Sequence, residues 1–581
     1  MISIYKKLFR YVPEKKHLAW MAIIISLASA CVGVYGYYYL YLFLKDLLEK
    51  GQAVSLGHAW VFACLEAVAY FFYFASGLLS HLLGFRLETN LRKRGIEELS
   101  LADFKFYDTH PSGIVRKLID DNASQTHQIV AHLIPDQAEA LLAPALVLVL
   151  AFMIHWVLGM FLLIVCALTA MLYKMMVGEQ AFIKEYARMM EEMSAEMVEY
   201  IRGIPVVKVF GRGLSSFGRL YKAIKAYSKT VYEYSLSCRK AYVWFQLIFM
   251  AVPALSVPFS LLFPGMGLSV TESVVFLIMS FFLTGNLFSS LMKVMYVGMY
   301  AKQGEMAVDK LEELFAKTSE SSLSFGEKTS FANYDIEFDH VSFAYDESNI
   351  IEDLSFTLPA GRSYALVGPS GGGKSTIAKL ISGFYKVKGG TIKIGGEAIS
   401  AYTEEAILQA ISFVFQDVKL LKDTLYENVA LAKPDASYKE VMSALKAAGC
   451  HDILEKFPER EQTVIGSKGV YLSGGETQRV AIARALLKDS PIVVFDEASA
   501  ALDADNEYAL QNAFSRLMKD KTVIMIAHRL SSIRTVDEVL VIDRGQVVER
   551  GKDADLMAEE TLYRRLQLDY QEANSWEVSY A

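Results

Sequence analysis

Gly368-Pro369-Ser370-Gly371-Gly372-Gly373-Lys374-Ser375-Thr376 lies between an apolar run, Ser363-Tyr364-Ala365-Leu366-Val367, and a segment that opens as a helix, Ile377-Ala378-Lys379-Leu380-Ile381. Four glycines in this loop keep side chains away, so backbone N–H groups and a helix start can aim at phosphates. Lys374 offers charge to β- and γ-phosphates, and the Ser375 hydroxyl offers a ligand to Mg²⁺. Strand, glycine loop and helix in this order predict an α/β nucleotide-binding domain. Short β-rich runs alternate with helical ones from Tyr334 onward, as that fold requires.

A second stretch completes the chemistry. Ile492-Val493-Val494-Phe495-Asp496-Glu497 is an apolar strand that ends in two carboxylates. Asp496 would hold Mg²⁺, directly or through water, and Glu497 would orient or deprotonate the attacking water.

The other half of the chain has a different solvent. The 581 residues are 53% hydrophobic, with mean hydropathy +0.27, too apolar for an ordinary soluble enzyme of this size. A net charge of −7 spread over this length implies neither an acidic tail nor a nucleic-acid surface. Apolar stretches long enough to span a bilayer occur near 18–44, 58–85, 134–154, 157–177, 241–264 and 271–296. Six spans put both termini on one side, and ATP makes that side the cytoplasm. Basic residues agree: Lys6, Lys7, Arg10, Lys15 and Lys16 precede the first span, and Arg86, Arg92, Lys93 and Arg94 follow the second. The loops at 154–157 and 264–270 carry no Lys or Arg. A multi-pass protein of the inner (plasma) membrane is expected. Outer connections are short and inner ones, 86–133 and 178–240, long and polar, so spans two to five should continue tens of ångströms into the cytosol.

Leu472-Ser473-Gly474-Gly475-Glu476, about a hundred residues after the glycine loop, is nearly confined to ATP-binding-cassette (ABC) proteins. With the two motifs above, and behind a membrane half, it makes the chain resemble an exporter-type ABC half-transporter. Further matches follow in that family's order. Tyr345 resembles the aromatic that stacks on adenine, and Gln416 the glutamine that links Mg²⁺ and water to the membrane hairpins. Asp503, in Ala500-Ala501-Leu502-Asp503, resembles the loop across the dimer seam, and His528 the γ-phosphate sensor. Residues 106–113 and 199–211 resemble the two hairpin tips that touch the cassette. The resemblance implies a catalytic set of Glu497, His528 and Gln416, and metal ligands Ser375, Asp496 and Gln416. ATP would be bound by Tyr345, Gly368, Ser370, Gly371, Gly372, Gly373, Lys374, Ser375 and Thr376. Ser473, Gly474, Gly475, Glu476 and Asp503 would complete the site of a partner. One loop and one signature cannot close a site within one chain, so a second half-transporter, identical or homologous, is implied. Export of an amphipathic small molecule, lipid or drug is the first expectation, and import of a metal–siderophore-like chelate the alternative. Three positions depart from the family: Glu476 stands where Gln is usual, Ala500 replaces a serine, and Ser467 stands where many exporters carry Glu.

The expected organisation is a membrane domain over 1–316, a linker over 317–333 rich in Ser, Thr and Glu, a cassette over 334–571 and a tail over 572–581. Residues 1–12 place Ile4, Tyr5, Leu8, Phe9 and Val12 on one helical face, suited to the inner leaflet. Cys31, Cys64, Cys166, Cys238 and Cys450 are scattered and read as small buried hydrophobes. Glu66, His81, Glu139, Gln246, Asn286 and Lys293 interrupt the spans, and each should face the bundle interior, a neighbouring partner or the interface rather than lipid. Lys293, if it faces a cavity, would favour an anionic or chelate-like ligand.

Overall fold

The computed structural model describes the chain except residues 1, 52–55, 177–179, 211–217, 260–268, 347, 417, 467–469, 497–513, 527–532, 534–535 and 575–581. It divides into two compact units: one of Met1–Gly95 with Arg116–Glu313, the other of Ile96–Val115 with Leu314–Ala581.

The first unit is helical. Its elements are α1 (Ile2–Leu8), α2 (Lys16–Lys50), α3 (Gly57–Leu101), then, after α4 (Phe104–Thr109) of the other unit, α5 (Ser112–Ile154), α6 (Trp156–Met176), α7 (Gln180–Phe210), α8 (Gly218–Phe259) and α9 (Val270–Glu320). Among the described residues five helices, α2, α3, α5, α6 and α9, are long and apolar enough to cross a membrane. Residues 241–259 of the fifth expected span lie in α8, and 260–264 lie outside the described residues. The 45-residue α3 is roughly 68 Å long, about twice a hydrocarbon core. A single non-helical residue, His155, joins α5 to α6.

Lipid gives no hydrophobic drive between helices, so close packing falls to small residues and hydroxyls. Ser29 donates to Ala69 O at 2.7 Å and Ser76 to Ala22 O at 2.7 Å, which ties α2 to α3. Pro135, inside α5, has no N–H for the Ala131 carbonyl one turn earlier. Ser80 of α3 donates to that carbonyl at 2.7 Å. The N-terminal helix differs from expectation. Leu8 and Val12 are fully buried, and Tyr5 donates to Gln137 at 2.8 Å, so this face packs on protein rather than lipid. Cys31 and Cys64 are exposed, Cys166 and Cys238 half-buried, and only Cys450 is buried. Apolar solvent around α2 and α3 lets a thiol face outward there.

In the second unit, β1 (Ile336–Phe343), β2 (Ile351–Leu358), β4 (Gly389–Ile394) and β5 (Glu397–Ala398) form an antiparallel sheet in the order β2-β1-β4-β5. β3 (Ser363–Val367), β6 (Ile411–Val414), β7 (Ile492–Asp496), β8 (Thr522–Ile526), β9 (Glu538–Asp543) and β10 (Gln546–Gly551) form a sheet in the order β10-β9-β3-β8-β7-β6. Strands β3, β6, β7 and β8 pair in parallel and read as continuous apolar runs because both faces are covered. Alternation divides them between two cores: Tyr364, Leu366, Ile492, Val494, Ile524 and Ile526 enter one, and Ala365, Val367, Val493, Phe495, Val523 and Met525 the other. Helices α10 (Lys374–Ile381), α11 (Glu404–Ala410), α12 (Leu425–Ala430), α13 (Tyr438–Ala447), α14 (His451–Lys456) and α15 (Gly474–Lys488) cover the faces.

Candidate nucleotide site

The register of the parallel sheet positions the site. Leu366 of β3 and Asp496 of β7 both pair with Ile526 of the intervening β8. The phosphate loop after β3 and the carboxylate closing β7 therefore emerge level, at the carboxyl ends where ligands of such sheets bind.

Gly368 adopts φ 148°, and a Cβ there would lie 2.0 Å from Ile542 O. Gly373 takes the left-handed region, φ 103°, at the N-cap of α10. Only glycine allows both. Lys374 is buried and donates to Gly368 O at 2.9 Å and Pro369 O at 2.8 Å. Ser375 donates to Asp496 Oδ1 at 3.2 Å. Asp496 is buried too. A hydroxyl and a carboxylate this close are hard oxygen donors of the kind Mg²⁺ takes.

Gln416 is exposed two residues beyond β6, the neighbour of β7. Tyr345 follows β1 and meets Phe343 edge-on at 5.0 Å. Ser473 caps α15, accepting from Glu476 N at 3.3 Å, and the Glu476 carboxylate accepts from Ser473 N at 2.7 Å. This reciprocal box leaves Gly474 and Gly475 in the first turn. Lys456 donates to both Glu476 oxygens, at 2.8 and 3.2 Å. Burial opposes a charged Glu476, yet Lys456 and the Ser473 N–H outweigh it and hold the acid below its usual range. Glu497, Ala500, Asp503 and His528 lie outside the described residues, as does Ser467.

The first hairpin tip belongs to the same compact unit as the cassette. Its α4 is capped by Asp103, which accepts from Phe106 N at 3.0 Å. Phe104 N donates to Phe384 O at 2.9 Å, and the Phe104 ring stacks on Phe384 at 5.1 Å and approaches Phe415, beside Gln416, at 6.4 Å. Asp108 accepts from Lys379 at 3.0 Å and Tyr385 at 2.9 Å. No motif singles out these partners, because their pairing depends on how the tip seats. Residues 199–210 of the second expected tip continue α7.

In the membrane unit, Lys293 of α9 reaches Glu139 of α5. His81 stands edge-on to His132 at 5.3 Å, and Gln246 donates to Tyr242 at 3.1 Å. Glu66 Oε1 and Asn286 Oδ1 are buried without a hydrogen-bond partner among the described residues. Tyr37, Tyr38 and Tyr41 pack against the membrane core, whereas Tyr35 is exposed.

Residues 351–500 match the family model described as ABC transporter, and residues 19–287 that described as ABC transporter transmembrane region. A mycobactin import ATP-binding/permease protein of Mycobacterium tuberculosis is 34% identical over 508 residues, 84% of this chain and 56% of its own length. The chain thus spans little more than half the length of this relative. An ATP-dependent lipid A-core flippase of Haemophilus ducreyi is 46% identical over 234 residues, 40% of each chain. A solved bacterial Atm1-family ABC exporter with ATP bound superposes with TM-score 0.76 at 26% identity, covering 98% of this chain and 100% of that one.

Proposed function

We propose that this chain, which belongs to the ABC transporter superfamily as an exporter-type half-transporter, works as one half of a dimeric, ATP-hydrolysing transporter of the plasma membrane with its cassette in the cytoplasm. One observation carries the reading: Ser375 and Asp496 meet at 3.2 Å at the sheet's carboxyl edge, in a chain whose other half supplies membrane-crossing helices.

In this reading the loop 368–376 cradles the phosphates of ATP and Tyr345 stacks on adenine. Ser375, Asp496 and Gln416 would hold Mg²⁺, which supplies charge neutralisation at the β- and γ-phosphates. Glu497 draws the proton from the attacking water and His528 contacts the γ-phosphate. Ser473, Gly474, Gly475, Glu476 and Asp503 complete the partner's site. Two ATP molecules lie head to tail between two cassettes; binding closes them, and hydrolysis with product release reopens them. The hairpin tips carry that stroke to the spans.

The cargo is an amphipathic small molecule. Export is supported by the likeness to a solved exporter over nearly the whole chain. Import of a metal chelate is a second reading, favoured by the reach of the matches. A match over 84% of the chain must run through most of the membrane half, where cargo binds, and its partner is named for mycobactin import. A match over 40% is short enough for a cassette alone. Vesicles reconstituted with the dimer and exposing the cassettes outward decide direction. ATP-dependent accumulation of labelled compound inside means export from the cell, and ATP-dependent loss of preloaded chelate means import. No ATP hydrolysis by the reconstituted dimer would sink the function itself.

A further inference from the structure

We propose that Asp108, Lys379 and Tyr385 form a relay by which the hairpin tip sets the adenine platform Tyr345, so that affinity for the nucleoside part of ATP depends on the seated tip. The proposal rests on the reading of Tyr345 as the adenine-stacking residue.

Lys379 lies five residues after Lys374, in the helix that opens at the phosphate loop. Its ammonium stands 5.8 Å from the Tyr345 ring centroid and 5.6 Å from that of Tyr385, at the outer edge of cation–π attraction. Asp108 sits on the other side. Its single oxygen Oδ2 accepts from Lys379 at 3.0 Å and from the Tyr385 hydroxyl at 2.9 Å. Tyr385 is buried and lies edge-on both to Phe104 of the tip, at 5.8 Å, and to Tyr345, at 6.5 Å. Tip and platform are thus joined through one cation and one ring.

The direction of the effect follows from the charges. Burial disfavours the Lys379 ammonium, but the Asp108 hydrogen bond, with the nearby Asp496 carboxylate, outweighs it and raises its pKa. The ammonium is thus held between one carboxylate and two aromatic rings. With the tip seated, Asp108 takes it. Without that carboxylate the ammonium moves onto the Tyr345 face, the surface that adenine needs. A docked tip therefore clears the platform, and a withdrawn tip obstructs it.

Calorimetric titration of the purified full-length chain with Mg-ATP and, separately, with Mg-tripolyphosphate tests this, because tripolyphosphate has phosphates and no base. Asp108→Asn, which is isosteric, is expected to weaken ATP by about fivefold, the scale of one cation–π contact, and to leave tripolyphosphate unchanged. Asp108→Asn combined with Lys379→Met removes the competing cation and restores ATP affinity. Tyr385→Phe, which deletes only the hydroxyl, gives a smaller loss of the same kind. Unchanged ATP affinity in Asp108→Asn, equal weakening of both ligands, or no rescue in the double variant would each overturn the relay. A wild-type chain that bound neither ligand would instead sink the nucleotide reading and the relay with it.

Discussion

Lys293 of α9 and Glu139 of α5, 154 positions apart, meet at 2.5 Å. Asp136 lies 3.7 Å from the same ammonium and accepts from the Tyr73 hydroxyl at 2.6 Å; the ammonium also sits over the Tyr73 ring at 4.6 Å. Two carboxylates therefore face one ammonium. The sequence left Lys293 open to a neighbouring partner or to a cavity; the structure gives it two carboxylates, and an acid-rich cluster does not favour an anionic ligand.

The first prediction concerns that cluster. Lys293→Ala leaves two carboxylates facing each other in an apolar unit. A fully buried pair broken on one side costs about 3–5 kcal/mol. Each side chain here is about a quarter exposed, which lowers the expectation to about 1–3 kcal/mol. Thermal unfolding in detergent should show the loss, and Lys293→Met with Glu139→Gln should recover part of it. A single variant as stable as wild type would contradict the pairing.

Asp496→Asn should cut ATP hydrolysis by about 10²-fold or more, the scale of one preorganised electrostatic contact, and Ser375→Ala should follow in the same direction. Phosphate release from the reconstituted dimer measures both. Turnover near wild type in Asp496→Asn would remove this carboxylate from the site.

Glu497→Gln should keep ATP bound while turnover falls by about 10²–10⁴-fold, because the amide cannot take a proton. Retention of radiolabelled ATP after gel filtration, together with phosphate release, reads the two effects separately. A variant that hydrolyses at the wild-type rate would clear Glu497 of that role.

The Lys456–Glu476 pair predicts a pH dependence. The folded-state pKa of Glu476 is lowered, so its contribution is present above the unfolded carboxylate value, about 4.3, and is lost as pH falls through the folded value. The melting-temperature gap between wild type and Lys456→Ala should be widest near neutral pH and close in acid. In a Glu476→Gln background Lys456→Ala should open no such pH-dependent gap. A gap independent of pH would assign Lys456 a packing role only.

Cys450 is fully buried, and burial pushes its thiol up to about 12. At pH 8 it should be protonated and closed to maleimide, and mass spectrometry should find it labelled only after denaturation. Rapid labelling of the native chain would mean that this core opens.

The sequence by itself determined the class of fold and the phosphate-binding elements, because both are local. A strand, glycine loop and helix occupy some twenty consecutive residues, and bilayer thickness dictates the length of an apolar run. It also marked Glu476 as unusual but could not supply Lys456, twenty positions earlier and on another helix. Only the tertiary structure joined Asp108 to Lys379 across 271 positions, or named Glu139 as the partner of Lys293. Such pairs depend on which faces of distant helices meet, and a helix face records only that a residue points one way, not what it will find there. The thiols of Cys31 and Cys64 make the same point. Facing outward is costly in water and not in lipid, so the surrounding medium, which pattern alone does not separate from protein interior, decided their exposure.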